Sequence, residues 1–233
     1  MNQQSTIIAL VPAAGVGSRM GKQLPKQYLV INNKCVLEHT VDKLLDHPDI
    51  DKVVVVLSEN DTYFPHLSIA CNDNVLTVVG GQERADSVLA GLTFISEKVT
   101  SDWVMVHDAA RPCFSKEDID NLIEASLNHA VGGILASPVR DTMKRSNPAG
   151  DTEHTVDRER LWHALTPQMF RTEQLMTAIS EALLNGVNIT DEASAMEWSG
   201  YSPALIKGSM ENIKITQPED LALAEFYLTK NKG

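Results

Sequence analysis

The 233-residue chain has only three cysteines, 5% aromatic residues and no long apolar run, and its 20 basic residues are outnumbered by 31 acidic ones. Each shortage excludes a class of protein. Cys35, Cys71 and Cys113 are odd in number and far apart, without the paired spacing of a zinc knuckle or a redox motif. They read as buried small hydrophobes. No stretch approaches the ~20 apolar residues of a membrane-spanning helix, and the opening MNQQSTIIALVPAAG carries neither a basic leader nor a cleavable apolar segment. The expectation is a soluble, cytoplasmic protein without a membrane partner. The formal net charge of -11 argues against a nucleic-acid partner, because a phosphate backbone attracts broad basic surfaces. Any phosphate this chain binds has to be held locally.

What is present is ordinary globular material, 43% hydrophobic and 22% charged, in a length that suits one substantial α/β domain spanning residues 1–233. Nearly continuous apolar runs recur at Ile7 to Pro12, Lys52 to Leu57, Val75 to Val79 and Trp103 to His107, and GGILAS precedes Pro138. Runs without in/out alternation fit parallel strands covered on both faces. Between them lie helical periods. Val36, Leu37, Val41, Leu44 and Leu45 form one apolar stripe, and Ser87, Val88, Gly91, Leu92 and Ile95 another. Strand alternating with helix predicts a Rossmann-like, mostly parallel sheet with helices on both faces. Thr172 to Asn185, Asp191 to Trp198 and Pro218 to Leu228 read as later helices, and ALIKG and NIKI as short strands.

Between Val139 and Asp157 the residues are polar and β-tolerant, with a turn at Asn147-Pro148-Ala149-Gly150-Asp151. This reads either as a floppy loop or as a protruding two-stranded arm. An isolated hairpin is marginal in water, so an arm this polar should lie against a second subunit, implying a homodimer.

Three segments carry chemistry. Pro12-Ala13-Ala14-Gly15-Val16-Gly17-Ser18-Arg19-Met20-Gly21 follows the first strand and runs on to Lys22 and Lys26. Small residues let backbone N–H groups approach an anion while the basic residues bring charge, which is what a triphosphate needs. The dinucleotide fingerprint fails because Met20 stands where its third glycine belongs, and the P-loop pattern fails at Gln23. The second segment, His107-Asp108-Ala109-Ala110-Arg111-Pro112, puts a carboxylate at the end of a buried strand, where open α/β sheets bind ligands. Asp108 there is either a turn residue or a ligand for Mg²⁺, which takes one or two carboxylates plus substrate phosphates. The third, Gly80-Gly81-Gln82-Glu83-Arg84-Ala85-Asp86-Ser87, lets a flat base come close and offers the Ser87 hydroxyl to a ribose or phosphate.

These blocks, with PVRDT, VDRERLWHALTPQ, TDEASAME and NIKITQPEDL, occur in order along the chain and together resemble the 2-C-methyl-D-erythritol 4-phosphate cytidylyltransferases of the non-mevalonate isoprenoid route. The resemblance implies that Ala13, Ala14, Gly15 and Gly17, with Arg19 and Lys26, wrap the CTP phosphates. It places Gly81, Gln82 and Ser87 around cytosine and ribose. It makes Asp108 the magnesium ligand and Lys214 a second cation at the α-phosphate, so that Lys26, Lys214 and Arg19 would be catalytic. The polyol phosphate would be held by Asp108, Lys214 and Thr190 of one subunit and by Arg111, Thr142, Arg158 and Thr166 of its neighbour. A ribitol 5-phosphate cytidylyltransferase and a non-catalytic nucleotide sensor are the rival readings. Elementary chemistry agrees with a cation-rich site lacking a Ser/His/Asp arrangement. A phosphate monoester, with a second pKa near ~6, is already largely a dianion at neutral pH and needs no general base.

Overall fold

In a computed structural model, residues 5–15 and 24–230 are described. The chain opens with β1 (Ile7–Pro12), the two-residue strands β2 (Val30–Ile31) and β3 (Lys34–Cys35), and helix α1 (Val36–Leu45). There follow β4 (Lys52–Leu57), β5 (Val75–Val79), α2 (Arg84–Phe94), β6 (Trp103–Val106), α3 (Lys116–Leu127) and β7 (Gly132–Pro138). A hairpin of β8 (Met143–Ser146) and β9 (Thr152–Val156) leads to β10 (Trp162–Arg171), α4 (Thr172–Leu184), α5 (Glu192–Trp198), β11 (Ala204–Lys207) and α6 (Pro218–Lys230).

Seven strands form one sheet in the order β11-β7-β10-β6-β1-β4-β5. Every pairing is parallel except those of β10, which runs antiparallel to both β6 and β7. The central strands are covered on both faces, as their unbroken apolar runs require, whereas the edge strand β5, expected to be covered likewise, exposes Thr77 and Val79 because, among the described residues, no element packs over that face of the sheet's edge. In β1, Ile7, Ala9 and Val11 pack on one face with Leu37, Val41 and Leu44 of α1 and Ile119 and Leu122 of α3. Ile8 and Leu10 pack on the other with Val88 and Leu92 of α2 and Leu175 and Ile179 of α4. Helix α2 lies close to the sheet because it carries glycine at position 91, where a Cβ would come 2.3 Å from Leu10 Cδ1.

The chain moves from β1 outward to β4 and β5, then returns to place β6 on the other side of β1. That reversal opens a crevice beyond the carboxyl ends of β1 and β6, the usual ligand position in such sheets. The loops after β1, β5 and β6 all empty into it. They are stitched to the strands by Ala13 N to Val56 O at 2.8 Å, Gly80 N to Leu57 O at 2.8 Å and His107 N to Leu10 O at 2.9 Å.

The β8–β9 hairpin forms its own two-stranded sheet, with nearly every residue exposed. Its turn is closed by Asn147 Oδ1, which accepts from Ala149 N and Asp151 N at 3.0 Å each, and Gly150 adopts a φ of 91°. Two further expectations need correction. The NIKI segment is irregular rather than a strand, because its groups bond across loops, as in Ile215 N to Ala110 O at 2.8 Å. Cys71, expected inside, is exposed at the end of a short 3-10 helix, Ser68–Cys71, while Cys35 and Cys113 are buried. Strand β10 and helix α3 carried no sequence expectation at all.

Candidate active site

The crevice holds two adjoining cavities. The first cleft is walled by Ala13, Ala14 and Gly15 after β1, by Lys26, by Gly81, Gln82 and Ser87 at the start of α2, and by Asp108 and Lys214. Lys26 and Asp108, 82 positions apart in the chain, therefore face one space. Gly17 and Arg19 lie outside the described residues. The second cavity is walled by Arg111, Thr166, Thr190 and Gln168, and it shares Arg84, Asp108 and Lys214 with the first.

Local chemistry shapes the first cleft. The Gln27 side chain is buried, and its Nε2 donates to Ala13 O at 2.7 Å and Gly15 O at 3.1 Å, pinning the loop after β1. A Cβ on Gly15 would meet no atom of the described residues within 4 Å. Gly81 is different. A Cβ there would lie 2.3 Å from Asp86 Cβ, and Asp86 Oδ2 accepts from Glu83 N at 3.0 Å to start α2. Replacing Gly81 by Ala forces the loop off the helix. For the CTP that the resemblance implies, the expected result is a KM raised about tenfold or more, since small misplacements of binding groups are costly, with a folded protein by circular dichroism. An unchanged KM would show that the loop position is irrelevant to nucleotide binding. Lys26 also acts on Asp220. Partial burial opposes ionisation of that carboxyl, but N–H donors from Thr216 and Gln217 and the Lys26 charge hold it below its ordinary range.

Asp108 is the electrostatic centre. Its Oδ2 receives Lys214 Nζ at 2.9 Å and Arg111 Nε at 3.3 Å, and its Oδ1 receives Arg84 Nε at 3.3 Å. Burial alone would raise its pKa, but the charges of Arg84, Lys214 and Arg111 outweigh that and hold it far below the usual carboxylate range. Asp108 is thus ionised at every physiological pH and cannot serve as a proton acceptor.

Around it runs a ring of hydrogen bonds. Asp108 N donates to Thr166 Oγ1 at 3.1 Å, and Thr166 Oγ1 lies 3.0 Å from His107 Nδ1. His107 Nε2 reaches the Arg111 carbonyl at 2.9 Å, which can only accept, so the ring proton sits on Nε2. Arg111 Nη1 donates to Asn212 O at 2.8 Å, and Asn212 Nδ2 donates to Thr166 O at 2.7 Å. His107 is fully buried against the Phe114 edge, with ring centroids 4.6 Å apart, and burial pushes its pKa down to about 4. Both its nitrogens are committed to the protein, so it is no general base. Thr166 sits where the β10–β7 register shifts between Ala164 and Gln168, next to the cis Thr166-Pro167 bond.

Arg111 and Thr166, which the resemblance gives to the neighbouring subunit's site, touch Asp108 of their own chain. Thr190 borders the second cavity. Thr142 and Arg158 are exposed at the root of the hairpin and line neither cavity. Arg158 Nη1 donates to the Arg140 carbonyl. Sequence reading gave no role to Gln27, Arg84, His107, Glu192 or Asn212. Arg84 and Glu192 stood inside the quoted blocks, and a charged residue within an apolar helix start was the available signal.

A mostly parallel α/β sheet with a loop-lined cleft at its strand reversal, rich in fixed cations around one ionised carboxylate, fits the nucleotidyltransferase class. Known proteins narrow this. The family model for 2-C-methyl-D-erythritol 4-phosphate cytidylyltransferase matches residues 7–230, and the chain belongs to that family. It is 64% identical over 229 residues to the 2-C-methyl-D-erythritol 4-phosphate cytidylyltransferase of Vibrio parahaemolyticus, covering 98% of each chain. It is 62% identical over 230 residues to that of Vibrio atlanticus, covering 99% of this chain and 98% of the other. The crystal structure of the Francisella tularensis 2-C-methyl-D-erythritol 4-phosphate cytidylyltransferase superposes with a TM-score of 0.82 at 36% identity, over 96% of this chain and 100% of that one.

Proposed function

We propose that this chain transfers the cytidylyl group of CTP to 2-C-methyl-D-erythritol 4-phosphate, releasing pyrophosphate and forming 4-diphosphocytidyl-2-C-methyl-D-erythritol. The observation that carries the reading is the meeting of Lys26, Lys214 and Asp108, from three distant segments, around one cleft that opens into a second cavity. CTP occupies the first and the polyol phosphate the second. An oxygen of the acceptor phosphate attacks the α-phosphorus, the α–β anhydride bond breaks, and pyrophosphate leaves. No proton need move, because the attacking monoester is already a dianion above its second pKa of ~6. The obstacle is repulsion between two anions. Lys26, Lys214 and Arg19 answer it by placing positive charge beside the phosphates before reaction begins.

Magnesium belongs to the same reading. Among the described residues no cluster of three or more His, Cys, Asp or Glu side chains is suited to a metal. Asp108 is, however, the carboxylate common to both cavities, and two of its three cationic partners sit at a long 3.3 Å. One such carboxylate fits an ion that arrives on a triphosphate, since Mg²⁺ takes one or two carboxylates and completes its shell with phosphates and water. When bound it supplies further neutralisation of phosphate charge.

The decisive assay is pyrophosphate release from CTP, ATP, GTP and UTP in turn, with methylerythritol phosphate or ribitol 5-phosphate as acceptor. Turnover confined to CTP with methylerythritol phosphate is expected. Tight CTP binding without release would make the protein a nucleotide sensor, and equal turnover of the ribitol compound would move it to the rival transferase.

The same reading takes residues 1–233 as one nucleotidyltransferase domain whose arm, about residues 139–157, joins a homodimer. The hairpin's exposure and the absence of Thr142 and Arg158 from both cavities of their own chain support it. These two residues then complete the partner's polyol-phosphate site. A mixture of Arg158→Ala and Lys26→Ala chains is expected to regain part of the activity that each lacks, through hybrid dimers with one intact site. Absence of recovery under demonstrated subunit exchange would confine each site to a single chain. No helix among the described residues is long and apolar enough to cross a membrane, and the cytoplasm is the proposed place of reaction.

A further inference from the structure

The partition between the two cavities consists of three side chains, Asp108, Lys214 and Arg84, and only the first two have a part in the transfer described above. We infer that Arg84 is a further positioning residue of the reaction, a guanidinium anchored by Glu192 that fixes the Asp108 carboxylate at the junction where the two anionic substrates meet. The inference rests on the proposed cytidylyl transfer.

Arg84 is held at both ends. Its Nη1 and Nη2 donate to Glu192 Oε1 at 2.7 Å and Oε2 at 3.1 Å, a two-pronged pairing that fixes the plane of the guanidinium. Its Nε then points at Asp108 Oδ1, 3.3 Å away. Glu192 is a firm anchor. Its side chain is 1% exposed, and it lies in the first turn of α5, where the helix dipole favours negative charge. That turn is tied to β10 through Gln168, whose Oε1 accepts from Ala193 N at 2.9 Å and whose Nε2 donates to Asp191 Oδ2 at 2.9 Å. Arg84 is the first residue of α2, so one ion pair joins the two helices that flank the crevice.

Lys214 makes the contrast. It meets Asp108 through a single ammonium on a flexible stem and is 36% exposed, free to turn toward a phosphate. Arg84 cannot follow it without abandoning Glu192. When phosphates draw Lys214 away, Arg84 keeps the carboxylate in register. The five charged groups, Arg84, Arg111 and Lys214 against Asp108 and Glu192, leave one surplus positive charge at the junction.

The test compares wild type, Arg84→Met, Glu192→Gln and the double variant by pyrophosphate release and thermal melting. Each single variant is expected to lose about tenfold or more in kcat, because displacement of a reacting group is costly, with KM for CTP changed less than kcat. The double variant is expected to be no slower than the slower single one, as for residues acting through one another. A purely structural pair would lower the melting temperature while leaving kcat near wild type, and that result overturns the inference, as do additive losses. A readout independent of turnover is the Asp108 carboxylate in crystal structures. It should shift in Arg84→Met, and an unmoved carboxylate would refute the role. Failure of wild type to release pyrophosphate would instead refute the transfer reading.

Discussion

Lys26→Ala and Lys214→Ala should each cut turnover by roughly 10²-fold or more, the usual loss when one preorganised charge donor is removed from a phosphoryl-transfer site. The reason is placement. Lys214 reaches Asp108 at 2.9 Å on the partition between the cavities, and Lys26 stands on the wall of the nucleotide cleft. Charge that develops on the departing pyrophosphate has these side chains beside it, and water cannot reproduce them without reorganising. The two variants should differ in pattern. Lys26→Ala weakens CTP binding as well as turnover, whereas Lys214→Ala, at the junction, acts chiefly on kcat. Steady-state pyrophosphate release with varied CTP and varied acceptor separates the two. Near-normal kcat in both would remove the lysines from the mechanism.

Acid should weaken the fold in a window set by His107. Burial lowers its pKa from 6.5 to about 4 in the folded chain. Between those values the unfolded chain binds the extra proton, so stability rises with pH across the window. The contribution is fully present above about pH 6.5, falls progressively as pH drops toward 4, and levels off below. A shift of this size corresponds to a few kcal/mol, a large share of the stability of an ordinary domain. The chain has seven histidines, so the attribution needs a difference measurement. Urea unfolding at pH 7 and pH 4.5 should show a smaller pH effect for His107→Gln than for wild type. Equal effects in both would place the titrating group elsewhere. Asp108 acts in a separate range: its carboxyl is depressed by Arg84, Lys214 and Arg111, so its contribution is present above the unfolded carboxylate pKa and is lost only in stronger acid.

The parallel strands were readable because each carries its apolar residues in an unbroken run, and burial on both faces leaves no other economical arrangement. Strand β10 escaped the same reading. Pro167 interrupts it, its first half is largely exposed, and it pairs with β7 through a register shift. Helix α3 escaped because KEDIDNLIEASL is mostly polar and offers only Ile119, Leu122 and Ile123 to the core. At the site, residues next to turns and strand ends announced themselves locally. The supporting residues did not: Arg84 meets Glu192 across 108 positions and Asn212 meets Thr166 across 46, separations that no local pattern encodes.

The unequal exposure of the thiols has a practical side. Burial pushes Cys35 up to about 12 and Cys113 up to about 11, so both stay protonated and unreactive at neutral pH. Cys71 is exposed and borders neither cavity. A maleimide dye or spin label therefore attaches at one defined point of the natural sequence, away from both cavities.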